Sequence, residues 1–120
     1  MKFERFEDII SWQKGKKLAL VVYTEFKNCR DFSFVDQIKR ASVSVSNNIA
    51  EGFERKSNAE FSKFLFIAKG SCGEVRSMIS LAIDLNYVSQ DKFKEINDLS
   101  LEVSRMISGL IKALKASDSL

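Results

Sequence analysis

The sequence predicts an all-α protein, an up-down-up-down four-helix bundle formed as one domain over residues 1–120. Three observations carry that expectation. The 120 residues include no Pro and only five Gly, whereas a β domain of this size needs many turns and the residues that make them. Apolar side chains recur at helical spacing in four long segments. Good N-cap residues precede the second, third and fourth of them.

The first helix is expected from Asp8 to about Asn28, with Ile9, Trp12, Ala19, Leu20, Tyr23 and Phe26 near one face and Lys14 and Lys17 on another. Cys29–Phe32 forms the connection. The second helix holds the stretch around which the chain is organised, Gln37–Arg55, QIKRASVSVSNNIAEGFER. Its centre, Ala41–Ala50, is the longest run without a charge, yet it is full of Ser and Asn. Burying such residues in a helix combines poor propensity with polar desolvation. Ala41–Ser46 alternates apolar and polar, the pattern of a half-buried strand. The longer window overrides it, because Phe34, Ile38, Ala41, Val45, Ile49 and Phe53 form one helical stripe. Ser33 is the expected N-cap, with Asp36 three residues on.

Ser57 and Glu60 form a capping-box pattern that opens the third helix. Its stripe is Phe61, Phe64, Leu65, Ala68, Cys72, Val75, Ile79, Ala82 and Leu85, and it ends at Asn86–Tyr87, where Asn accepts a left-handed conformation. Ser89 caps the fourth helix, from about Gln90 to Ala116. There Ile96, Leu99, Val103, Met106, Leu110 and Leu114 approach a heptad seam. Ser117–Leu120 are expected to fray.

Apolar content of 45% and charged content of 29% are those of a soluble globular protein. The N-terminus, MKFERFEDII, is charged throughout and has no apolar core of a signal peptide. No run is long and apolar enough to span a bilayer. Cys29 and Cys72 are therefore expected to be reduced thiols in a cytoplasmic protein. The net charge of +3 resides in residues 1–30, which hold seven basic and four acidic side chains; the remaining segments balance. Lys14, Lys16, Lys17, Lys27 and Arg30 are the candidate phosphate contacts of a modest basic face, or else one solvated helix face.

A hairpin between the second and third helices, folded about residues 56 to 58, sets Arg40 opposite Glu74 and Glu51 opposite Lys63. These are either solvated surface pairs or, for Arg40–Glu74, a partly buried pair that fixes register beside the polar run. Ser44, Asn48 and Ser71 are placed to satisfy one another's hydrogen bonds. Phe66, Gly70 and Gly73 lie along one edge of the third helix, outside its stripe. Glycine inside a helix costs about 1 kcal/mol against Ala, so close approach of another helix is expected there, from the same bundle or from a neighbouring subunit.

Enzymatic chemistry has little to work with. The chain contains no His, which removes the commonest general base and metal ligand and every Ser-His or Cys-His pair. Two separated Cys make no zinc site, and Gly70–Gly73 lacks the Lys-Ser/Thr of a P-loop. No enzyme activity, metal or cofactor is expected.

The string Gln37-Ile38-Lys39-Arg40-Ala41, then Asn48-Ile49-Ala50-Glu51-Gly52, with Phe61, Phe64, Ala68, Gly70-Ser71 and Glu74, resembles the bacterial four-helix-bundle proteins encoded in intervening sequences of large-subunit ribosomal RNA genes. The accessory variability determinant of diversity-generating retroelements is similar to these. The resemblance covers nearly the whole chain, including Phe6-Glu7-Asp8 and Trp12. It implies a ring-like homopentamer and, from the retroelement protein, a basic surface that engages nucleic acid and a reverse transcriptase. The function expected is thus a non-enzymatic oligomeric bundle with a weak RNA-binding surface. The alternative is a protein-interaction scaffold with no nucleic-acid role. No membrane partner is expected.

Overall fold

The structure, a computed structural model, describes residues 3–118. A 3-10 turn at Phe6–Asp8 leads into α1 (Ile10–Glu25), α2 (Phe32–Phe53), α3 (Asn58–Asp84) and α4 (Gln90–Asp118). Each helix packs against its sequence neighbour and α1 closes on α4, giving the four-helix bundle, about 50 Å long and 19 Å across. Ala41–Ser46 is helical throughout, so the 3.6-residue stripe prevails over the local alternation. Whether the last residues fray lies largely outside the described residues, since α4 is continuous to Asp118.

Local chemistry sets the ends of the helices. Ser57 Oγ accepts from the Glu60 backbone N–H at 3.1 Å, and Ser89 Oγ accepts from Lys92 N–H at 3.2 Å. Asn86 takes the left-handed conformation, φ 60°, and so turns the chain from α3 towards α4. The start of α2 departs from expectation, because Asp31 and not Ser33 is the cap. Its carboxylate accepts from Phe34 N–H at 3.2 Å and from the Ser33 hydroxyl. The Tyr87 hydroxyl donates to the other Asp31 oxygen at 2.8 Å. A residue 56 positions away thus decides between two adequate local caps.

The core is one layer of apolar side chains along the bundle axis, with Leu18, Val22, Ile38, Val45, Ile49, Leu65, Val75, Ile79, Ile96 and Ile107 fully enclosed. T-shaped aromatic contacts close both ends. Phe34 stacks edge-on with Phe26 and Tyr87, each at 5.4 Å, and Phe53 meets Phe61 at 6.0 Å. Gly52 marks the tightest helix approach. A Cβ built there would stand 2.6 Å from Phe64 Cβ, so α2 and α3 come together at the hairpin only because that position has no side chain.

Helix α1 keeps Ile9 and Phe26 of the expected face buried, with Trp12 against the core, but is rotated from that face in its middle. Its inward positions are Ser11, Gly15, Leu18 and Val22, while Leu20 and Tyr23 are exposed. Gly15 explains the rotation. A Cβ there would lie 3.2 Å from Val45 Cγ1 and 3.5 Å from the Ser46 backbone, so α1 sits against α2 at its smallest residue. That turns two large apolar side chains towards solvent.

Candidate functional site

The polar run on α2 divides between two sides of the helix. On the inner side, Ser42 and Ser46 are buried, and their hydroxyls donate to the carbonyls of Lys39 and Val43, 2.9 and 3.4 Å away. These back-bonds satisfy the hydroxyls within the helix and need no partner across the core. On the outer side, Ser44, Asn48 and Ser71 form a network across the α2–α3 seam. Asn48 Nδ2 donates to the Ser44 carbonyl and hydroxyl, both at 2.8 Å, and Ser71 Oγ lies 2.9 Å from Ser44 Oγ. Ser71 Oγ is also 3.1 Å from the Ile67 carbonyl.

The bracketing charges do not join that network. Arg40 and Glu74 are both exposed, and Arg40 Nε instead binds Asp36 one turn back along α2 at 2.9 Å. Glu74 accepts from Gln37 Nε2 at 3.3 Å. The hairpin register is close to that expected, since Ser44 meets Ser71, but Arg40 lies further round the helix and points away from the seam. Glu51 likewise pairs with Arg55 on its own helix at 2.7 Å, leaving Lys63 exposed across the hairpin. A charge with an i±4 partner reaches it without crossing to another helix, which is why the expected cross-helix pairs do not form.

Beside this outer side lies an open cleft between α1 and α2, about 430 Å³, lined by Tyr23, Asp36, Lys39, Arg40, Val43, Ser44, Asn47 and Asn48. The Lys39 ammonium stands 4.7 Å from the Tyr23 ring centroid. Tyr23 was expected in the core, so the cleft was not legible in the sequence. The signal that could have found it is Gly15, whose position between Ser11 and Leu18 marks a close helix approach.

The five candidate phosphate contacts occupy different environments. Lys14 is committed to Glu102 of α4 at 2.8 Å, and Lys16 stands 5.6 Å from the Trp12 ring centroid. Lys17, Lys27 and Arg30 are exposed. Among the described residues, none of these three has an ion-pair or hydrogen-bond partner. On α3, Phe66 and Ile67 are 59% and 52% exposed, and nothing lies within 4 Å of a Cβ built on Gly70. A Cβ on Gly73 would meet only the end of Arg76, at 3.8 Å. No other helix of this bundle fills that edge, which removes the intrachain explanation for both glycines.

The Asp31 carboxyl is held below the usual carboxylate range by the bonds from Tyr87 and Phe34 N–H, and the same bond raises Tyr87. Burial pushes the Cys72 thiol up to about 11, so it is not a thiolate at neutral pH. No group of three or more His, Cys, Asp or Glu suited to a metal occurs among the described residues. None of the described helices is long and apolar enough to cross a membrane.

Fold and surface together define a small helical bundle with a polar cleft and a basic first helix. The chain belongs to the 23S rRNA-intervening sequence protein family, which it matches over residues 7–109. A solved structure similar to it is a protein with unknown function from the S23 ribosomal protein family of Bacteroides thetaiotaomicron VPI-5482, at 25% identity and a TM-score of 0.80. The match covers 85% of this chain and 98% of that one. No curated protein matches the chain.

Proposed function

We propose that this chain is a non-enzymatic bundle that binds RNA through the outer side of α1 and associates with copies of itself through the outer side of α3. The observation that carries RNA binding is the charge pattern of α1. Lys16 and Lys17 stand exposed beside Leu20 and Tyr23, and Lys27 follows just past the helix end. The helix's one carboxylate, Glu25, lines a groove with Lys17 and with Lys92 of α4, so cations outnumber it there. Exposed, mobile Lys side chains suit phosphates and carry no base preference of their own. The family's description, which associates its members with an intervening sequence of 23S rRNA, favours RNA over a protein partner. The lack of His and the protonated, buried Cys72 support a role without catalysis.

Self-association is supported by Phe66 and Ile67, exposed beside Gly70 and Gly73. Small residues permit close approach, and an aromatic side chain supplies contact area. The family resemblance implies a pentamer, which would require one heterologous interface repeated around a closed ring. Light scattering is then expected to give a mass near five times 13.6 kDa, and Gly73→Leu to shift it towards smaller species. A clean monomer at tens of micromolar contradicts self-association.

Fluorescence anisotropy with a labelled single-stranded RNA tests the RNA half. Three or four neutralised phosphates give a slope of log K against log salt of roughly −2 to −3. Absence of binding at low salt, or a flat salt dependence, contradicts this reading and favours a protein-interaction scaffold.

A further inference from the structure

We propose that the cleft between α1 and α2 holds one nucleotide of single-stranded RNA, its base against Tyr23 and its phosphate at Lys39 and Arg40. This rests on the RNA reading above and adds to it the place where a base is held. One residue of the cleft, Asn47, has no hydrogen-bonding role in the bundle. Asn47 is exposed in mid-helix, where Asn is a poor helix former. Among the described residues its side-chain amide makes no hydrogen bond. Asn48 spends its Nδ2 on Ser44, which leaves its Oδ1 as an acceptor. The cleft therefore offers a free amide donor pair and two amide acceptors, the complement of a nucleobase edge.

Size and charge fit the same occupant. About 430 Å³ falls within the roughly 300–1,000 Å³ of small-molecule sites. Tyr23 is 45% exposed, and an accessible aromatic ring is the usual platform for an unpaired base. Lys39 and Arg40 supply two cations against one carboxylate, Asp36, which Arg40 already neutralises at 2.9 Å. Lys39 covers one face of the Tyr23 ring, so a phosphate that draws the ammonium aside leaves that face to its own base. A duplex keeps its bases stacked and paired, and one recess beside one ring has no means of reading it. The cleft is continuous with α1 through Tyr23, so a strand running along Lys16, Lys17 and Lys27 reaches it without leaving the protein surface.

The test is anisotropy with a single-stranded octanucleotide, a hairpin duplex of equal length and a free mononucleotide, on the wild-type chain and four variants. Tyr23→Ala is expected to weaken single-strand binding about tenfold, the loss typical of one base–aromatic stack, with Tyr23→Phe close to wild type. Asn47→Ala is expected to weaken it about threefold to fivefold, as the loss of a hydrogen bond does. Asn47 is exposed, so that variant tests the cleft even where Tyr23→Ala disturbs the α1–α2 contact. The duplex should bind more weakly than the single strand. Wild-type affinity in both Tyr23→Ala and Asn47→Ala, with binding abolished by joint replacement of Lys17, Lys27 and Arg30, overturns the cleft and leaves the RNA reading standing. Equal affinity for duplex and single strand also overturns it, as does a free mononucleotide bound as tightly as the octamer. No RNA binding by the wild-type chain overturns both.

Discussion

On its inner side α2 presents Ser42 and Ser46 to the core; on its outer side it presents Ser44, Asn47 and Asn48 to the α3 seam and the cleft. Residue types are similar and solutions differ. The inner hydroxyls bond back to their own helix, so they behave as small packing units and let α1 approach at Gly15. The outer groups reach across to Ser71 or remain unengaged at Asn47. Polar residues in a helix thus signal close packing where the backbone absorbs their hydrogen bonds, and signal recognition where it does not.

Crowding the packed side is the strongest way to break this contrast. Gly52→Val is expected to destabilise the fold by about 3 kcal/mol in urea unfolding, since overpacking against a fixed neighbour costs on this order, and the Cβ clash at 2.6 Å is with Phe64 Cβ near its backbone. Gly70→Ala provides the opposite sign. Its Cβ enters open space, so the monomer should gain about 0.5–1 kcal/mol. A comparable loss at both positions would mean that α3's outer edge is packed within the bundle.

The cross-seam network gives the next effect. Ser44→Ala is expected to cost about 1 kcal/mol, with Ser71→Ala similar and the double variant less than their sum, because the two share one hydrogen bond. Strict additivity would mean that the two hydroxyls are independently solvated. Arg40→Ala is the smallest, within about 0.5 kcal/mol, because its pair with Asp36 is exposed. A loss of several kcal/mol, coupled to Glu74, would restore the buried cross-helix pair that the sequence suggested.

What could be read from the sequence followed how evenly each helix is sided. α2, α3 and α4 carry their apolar residues mostly on one arc, so the stripes place Ile38, Val45, Leu65, Ile79 and Val103 in the core, where they are fully buried. α1 has apolar residues on opposite arcs, and its close approach to α2 is made at Gly15, which carries no hydrophobic signal. The choice between Leu18–Val22 and Leu20–Tyr23 is therefore made by the neighbouring helix. The same limit applies to the site. Ser44, Asn48 and Ser71 could be grouped from the hairpin register alone. The cleft could not, because it depends on Tyr23 facing outward, and the direction of Arg40 depends on a local partner, Asp36, that competes with Glu74.

The division of α2 is tested most directly at Asn47, which belongs wholly to its outer side. Thermal or urea unfolding and RNA anisotropy on one preparation of Asn47→Ala give both quantities. Stability should stay within about 0.5 kcal/mol of wild type, as for an exposed substitution, while affinity for single-stranded RNA falls about threefold to fivefold. A loss of stability above about 1 kcal/mol with affinity unchanged would contradict the division and return the whole polar run to the fold.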